Sequence, residues 1–167
     1  DRMTGPYTVE AGRAAGLEFV ARTGTRPTAI FATSDELLIG FNDRDKRFHD
    51  LYRVNVETGE KTLVQENPGV AGFVTDDDFN VRLAVNFTPT AGQVWLQPKS
   101  DEPGEKGYDE WEPMEEFSSV DAMTSGPSGF DKAGKVLYFE DSRDRDTAGL
   151  FSRNLATGKT KLIAEDP

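Results

Sequence analysis

The chain repeats itself. A shift of 99 positions carries Gly59 onto Gly158 and lays residues 31–68 on residues 130–167 without a gap. Eleven positions are then identical: Phe31/Phe130, Leu38/Leu137, Arg44/Arg143, Asp45/Asp144, Leu51/Leu150, Asn55/Asn154, Thr58/Thr157, Gly59/Gly158, Leu63/Leu162, Glu66/Glu165 and Pro68/Pro167. Unrelated sequences of that length would share roughly two at typical residue frequencies. Pairs such as Tyr52/Phe151, Val64/Ile163 and Asn67/Asp166 are conservative. Internal repetition at this scale restricts the fold to arrays of one supersecondary unit.

Each copy reads as short strands. Leu37–Phe41 and Val136–Phe139 are apolar runs rich in aromatic and branched residues, which suit a pleated surface. Leu51–Val56 and Leu150–Leu155 follow, then Lys61–Gln65 and Lys161–Ala164. Between the last two runs of each copy sits a polar tetrapeptide ending on a Gly and one more residue, Glu57-Thr58-Gly59-Glu60 and Ala156-Thr157-Gly158-Lys159. A Gly there supplies the positive φ of a tight hairpin, so Gly59 and Gly158 are expected to be structural turn residues. No amphipathic stripe of period 3.6 is long enough to predict a helix.

Ninety-nine residues are too many for one four-stranded unit of about 40–50, but suit two. A diverged unit therefore belongs between the copies. Phe73, Arg82–Val85 and Val94-Trp95-Leu96 take its first three strand places, a polar Gly/Pro-rich loop over 98–110 replaces the tight turn, and Trp111–Phe117 closes it. The expected fold is all-β, a partial β-propeller of about three four-stranded antiparallel blades. The blades are placed at 27–68, 69–117 and 118–167. Residues 1–26 are unassigned, with Leu17–Arg22 read as the end of a preceding blade. The chain starts at Asp1 in mid-pattern and so reads as a piece of a longer protein.

Composition narrows function by exclusion. The formal net charge is −11, a field that repels phosphate backbones, so nucleic acid is not an expected partner. No run approaches the roughly 20 apolar residues of a membrane helix, and no membrane partner is expected. There is no Cys, hence no disulfide framework, thiolate metal site or thiol nucleophile. A cytoplasmic setting is expected, although a Cys-free domain suits a periplasm equally well.

The ordered series of motifs resembles a known family. Asn42-Asp43-Arg44-Asp45, His49-Asp50-Leu51-Tyr52-Arg53-Val54-Asn55 and Thr58-Gly59-Glu60 are similar to the propeller of bacterial prolyl oligopeptidase family serine peptidases. So are Glu66-Asn67-Pro68-Gly69, Ala71-Gly72-Phe73-Val74-Thr75-Asp76-Asp77 and Trp111-Glu112-Pro113. The likeness runs from about Ile30 to Pro167 and is strongest to the dipeptidyl aminopeptidase and acylaminoacyl-peptidase branch. It implies a parent in which a propeller is stacked on an α/β-hydrolase domain holding a Ser-Asp-His triad, and restricts entry to peptides. The implied partners are that hydrolase domain and, through it, peptide substrates. The alternative is a self-contained propeller that presents loops to a protein partner, as WD-repeat propellers do.

No catalytic set is expected within the chain. The nearest string to a Gly-x-Ser-x-Gly elbow is Gly126-Pro127-Ser128-Gly129-Phe130, which lacks the final Gly and a following helix pattern. The single His, His49, precedes Ser128, whereas the base follows the nucleophile in α/β-hydrolases. One His and no Cys give no zinc set, so His49 reads as a solvated or capping residue. Asp76-Asp77-Asp78 and the acidic run 141–146 lack the spacing of a calcium loop and read as turn caps. No metal and no cofactor are expected.

Two candidate positions remain. Arg44-Asp45 and Arg143-Asp144 recur just after a blade strand. They read first as salt-bridged connections, and second as channel-facing groups able to hold a peptide carboxylate. Trp95, Trp111, Phe73, Phe130, Tyr52, Phe151 and Tyr138 read as core between blades. An incomplete ring exposes two blade faces, which predicts a homo-oligomer through them.

Overall fold

Alternating apolar residues cannot bury one strand face alone, so successive runs pair through tight turns. The computed structural model describes residues 30–33, 36–100 and 105–166, and shows three four-stranded antiparallel meanders. Residues 1–26, with the suggested strand at Leu17–Arg22, lie outside the described residues. The first blade is β1 (Ile30–Thr33), β2 (Glu36–Phe41), β3 (Asp50–Asn55) and β4 (Lys61–Gln65). The second is β5 (Gly72–Thr75), β6 (Val81–Phe87), β7 (Gln93–Pro98) and β8 (Trp111–Phe117). The third is β9 (Gly126–Phe130), β10 (Val136–Asp141), β11 (Gly149–Asn154) and β12 (Thr160–Ala164). All described elements are strands, and the fold is a set of β-propeller blades.

The described chain divides into two compact units between Glu66 and Asn67. The first unit holds the first blade. Its apolar cluster is Ile39, Phe41 and Val54, with Leu37 and Tyr52 packed against it, and Phe41 meets Tyr52 edge to face at 5.6 Å.

In the second unit β5 and β9 lie side by side, and the second and third blades share one core. That core is Leu83, Trp95, Phe117, Ala122, Leu137 and Phe139. Trp95 is fully buried between Phe117 at 4.7 Å and Phe139 at 5.6 Å, and its indole N–H donates to Gln93 Oε1. Burying so large a ring is tolerated because its one polar atom is satisfied.

The hairpin turns of the first and third blades share their main bonds. Gly59 has φ +73° and Gly158 φ +68°. Each donates its N–H to the carbonyl of the Asn four residues earlier, both at 2.8 Å. The Asn55 and Asn154 side-chain oxygens accept the amides of Thr58 and Thr157, each at 2.9 Å. Between the middle strands the copies part. Gapless repetition implies that Tyr138 pairs with Phe151 as Ile39 does with Tyr52. Instead Ile39 pairs with Tyr52, while Phe151 pairs with Phe139. The connection over 142–148 is one residue shorter than that over 42–49, because β10 runs on to Asp141.

The described part of the second blade's long connection is anchored at Tyr108. Tyr108 is buried, and its hydroxyl accepts the Val81 N–H at 2.9 Å. Burial raises the Tyr108 pKa above its ordinary 10.0.

Candidate functional site: the arginine loops

Both recurring arginines stand on the connection between the two middle strands of their blades. In the first unit, Phe41 ends β2 opposite Asp50 at the start of β3, so the loop 42–49 must return to a buried carboxylate. Arg44 satisfies it with two parallel bonds, Nε to Oδ2 at 2.8 Å and Nη2 to Oδ1 at 2.7 Å. Its Nη1 lies 3.2 Å from Glu66. The hydrogen bond to Asp50 raises the Arg44 pKa. A bidentate pair of this kind fixes a loop better than a single contact.

Asp45 is not the partner of Arg44. It accepts the Arg47 amide at 2.9 Å and pairs with the Arg47 guanidinium at 2.8 Å. The Arg47 side-chain hydrogen bond, then its amide, lower Asp45 from 3.8 to about 2. Asp43 is held low by a hydrogen bond from Lys61, whose ammonium also lies 4.7 Å over the Phe41 ring and 5.0 Å over Tyr52. His49 sits half-buried just before β3.

The third blade answers differently because Gly149 stands where the repeat has Asp50. A side chain there would be tightly packed: an ideal Cβ on Gly149 falls 3.0 Å from Leu162 Cδ1 and 3.1 Å from Phe151 Cε2. Arg143 therefore turns elsewhere. It pairs with Asp141 at 2.6 Å and reaches Glu115 of the second blade at 2.7 Å, with its guanidinium 4.4 Å from the Phe117 ring centre. Glu115 uses its other oxygen for Arg153 at 2.5 Å, and Arg153 lies over Phe139. The side chain of Glu115 is 15% exposed and that of Arg153 17%, so this network is shielded from solvent. The Arg143 side-chain hydrogen bond to Asp141 raises the Arg143 pKa. Burial pushes Asp141 up, but the hydrogen bonds from Arg143 outweigh it and leave Asp141 low. Asp144 has φ +58° and is exposed, and Arg145 pairs with Glu165.

Arg44 and Arg143 thus share a place in the repeat but not a partner. Each guanidinium is engaged by carboxylates of the chain itself. Arg44 tethers its own loop, and Arg143 joins two blades. Glu115 is absent from the sequence reading because nothing in its own strand marks it. Only the neighbouring blade gives it a role.

A second arginine joint lies at the other end of the same two blades. Arg82 donates to the Gly134 carbonyl at 3.1 Å and lies 4.0 Å from Asp76 Oδ2. Asp76 accepts the amides of Asp78 at 3.1 Å and Asn80 at 2.9 Å. Its carboxylate is a turn cap. Among the described residues, no group of three or more His, Asp or Glu side chains is placed to hold a metal ion.

Ser128 is an exposed residue of β9, at an irregular stretch where Tyr138 pairs with Gly129 but Phe139 with Pro127. This is a strand edge, not a strand-to-helix elbow. Two open depressions mark the second unit. One of about 470 Å³ is lined by Val136, Ser152, Asn154, Thr157 and Lys161 among others. The other, about 160 Å³, lies among Arg82, Gln97, Lys99, Glu112 and Leu155.

Comparison with known proteins sharpens this picture. The chain is 37% identical over 131 residues to dipeptidyl aminopeptidase BIII of Pseudoxanthomonas mexicana, a match covering 78% of this chain and 18% of that protein. It is 32% identical over 108 residues to dipeptidyl peptidase family member 6 of Caenorhabditis elegans, covering 64% of this chain and 14% of the relative. The chain therefore spans less than a fifth of the length of either relative. No family model and no solved structure matches it.

Proposed function

From a chain that belongs among the propellers of the prolyl oligopeptidase family, we propose a non-catalytic role within a serine peptidase. These blades serve as scaffold and access filter for peptides, and the reaction takes place on an α/β-hydrolase domain elsewhere in the same polypeptide. The observation that carries this reading is the shape of the match to dipeptidyl aminopeptidase BIII: it takes in most of this chain but a small share of the relative. Two features of the second unit support it. The charged side chains best placed by the fold hold blades together, as a scaffold requires. Ser128 lacks the strained setting that exposes a nucleophile.

The test is to express the longer polypeptide that contains residues 1–167 and assay it with dipeptidyl-linked chromogenic substrates, alongside labelling by a fluorophosphonate. Turnover is expected, with the label on a Ser outside residues 1–167. A longer polypeptide that neither turns over nor labels rejects the peptidase reading and favours a binding propeller. Label on Ser128, with turnover abolished by Ser128→Ala, rejects the non-catalytic role.

A further inference from the structure

Two turns of the second unit share one frame. Asp76-Asp77-Asp78-Phe79-Asn80-Val81 joins β5 to β6, and Asp131-Lys132-Ala133-Gly134-Lys135-Val136 joins β9 to β10. Each starts on an Asp and ends on the Val that opens the next strand. In each, the fourth residue donates its N–H to the carbonyl of that Asp, Phe79 to Asp76 at 3.1 Å and Gly134 to Asp131 at 2.8 Å. The fourth residue is left-handed in both, with φ +66° at Phe79 and +64° at Gly134. Glycine adopts that conformation freely, whereas a phenylalanine keeps it only where the fold holds it. Phe79 is buried, so its surroundings hold the second-blade turn.

The frames part at the Val amide. Asp131 Oδ1 accepts the amides of Lys135 at 2.7 Å and Val136 at 2.8 Å. Asp76 Oδ1 accepts the amide of Asn80, the equivalent of Lys135, at 2.9 Å, but its other bond comes from Asp78 at 3.1 Å. The Val81 amide donates instead to the Tyr108 hydroxyl at 2.9 Å. The backbone differs to match. Asp131 donates its N–H to the Val136 carbonyl, whereas Asp76 donates to the Asn80 carbonyl, one residue earlier. Tyr108 thus fills, from the β7–β8 connection, the place that an Asp fills in the third blade. The Asp able to fill it is still present at position 76.

We propose that the turn 76–81 has two capped forms, and that Tyr108 selects between them. With Tyr108 docked, the Val81 amide bonds its hydroxyl. With Tyr108 withdrawn, a buried N–H without a partner is costly, and Asp76 Oδ1 takes it as Asp131 takes Val136. The Asp76 carboxylate also belongs to the seam between two blades. Its Oδ2 lies 3.0 Å from where a Cβ on Gly134 would be. Arg82, 4.0 Å from that oxygen, donates to the Gly134 carbonyl at 3.1 Å. Turning Asp76 toward Val81 withdraws it from this seat. Glu105, Lys106, Asp109 and Glu110 are exposed around the buried Tyr108. The device therefore runs from an exposed connection, through one hydroxyl, to the joint of the second and third blades.

Tyr108→Phe removes the hydroxyl and keeps the ring. In a crystal structure of the longer polypeptide with this change, the Val81 nitrogen is expected within hydrogen-bonding distance of Asp76 Oδ1. Hydrogen exchange over 131–136 is expected to quicken about threefold or more, with 36–65 unchanged. The reciprocal variant is Gly134→Ala, whose Cβ presses on Asp76 Oδ2 from the third blade. It is expected to quicken exchange over 105–110 by a similar factor, because coupling between two sites acts in both directions. A Val81 amide that does not move to Asp76 in Tyr108→Phe overturns the proposal and leaves Tyr108 a plain cap. Unchanged exchange over 131–136 overturns it as well. If Tyr108→Phe does not fold, Gly134→Ala decides alone, and unchanged exchange over 105–110 is then the overturning result.

Discussion

Tyr52 and Phe151 are equivalent in the sequence repeat, yet they occupy opposite faces of their blades. The first two strands keep the same register in both copies, Phe31 against Leu38 and Phe130 against Leu137. The last two strands do so as well, down to a register shift at Leu51/Tyr52 and at Leu150/Phe151. Only the two hairpins slip relative to each other, by one residue. Since side chains alternate with period two, that slip turns the whole third strand over. Tyr52 joins Ile39 and Phe41, whereas Phe151 stacks on Phe139 at 5.5 Å, on the face that carries Leu137. The slip also moves Arg153 onto the face of the shared core, where Glu115 receives it.

Removing the Arg44 side chain takes a bidentate partner from a buried carboxylate. Asp50 is 1% exposed, and its bidentate partner supplies much of its compensation. Arg44→Ala is expected to destabilise the fold, because it takes away the two bonds that Arg44 gives a buried carboxylate. The double variant Arg44→Ala/Asp50→Ala is expected to recover part of that loss. Urea unfolding followed by circular dichroism gives both values, and a double variant less stable than Arg44→Ala contradicts the account.

The two hairpin glycines should respond alike. Both have positive φ and open space where a Cβ would go, so backbone strain alone sets the cost. Gly59→Val and Gly158→Val are each expected to cost about 1–2 kcal/mol. Gly149→Ala tests a different cause. Its Cβ would crowd Leu162 and Phe151, which must give by a few tenths of an ångström, so any penalty should fall when Leu162→Ala makes room. Thermal melts of the unsubstituted chain, the three glycine variants, Leu162→Ala and the double variant Gly149→Ala/Leu162→Ala decide this.

Glu115 is the shared acceptor of the joint between the second and third blades. Glu115→Gln keeps the shape but withdraws the charge that Arg143 and Arg153 both face. Replacing Glu115 and Arg153 singly and together is expected to show a coupling of about 1–2 kcal/mol, in the range for contacting residues. Hydrogen exchange should quicken at residues 111–117 and 149–154 ahead of the first blade. Uniform change across all three blades would mean that the pair does not act as a local joint.

The Asp45 carboxyl should titrate near its lowered value of about 2 rather than 3.8. A depressed folded pKa means that this group favours the folded state above about pH 3.8, and that its contribution disappears as the pH falls through about 2. Arg47→Gln removes the leading cause and is expected to move the titration up toward 3.8. Carbon-detected NMR of the Asp45 carboxyl across pH 1.5–5 reads the shift, and an unchanged midpoint in the variant assigns the lowering to another group (the window brackets both values).

The sequence by itself determined the blades. Gly59, Gly158 and the Asn residues four places before them specify turns through contacts within five residues, and the aromatic and branched runs specify strands by their own preference. Such signals are local, so they survive in a repeat that can be aligned by eye. It also carried the likeness to peptidase propellers that the relatives bear out. The tertiary structure alone decided which face each third strand presents, because one residue moved from loop to strand leaves the gapless repeat unchanged and inverts the alternation. It likewise decided what the paired arginines do. Arg44 and Arg143 read alike, but Asp50 is present for one and replaced by Gly149 for the other, and Glu115 comes from another blade. An arginine takes the carboxylate that packing places within reach, and packing between blades is not written at either end of the pair.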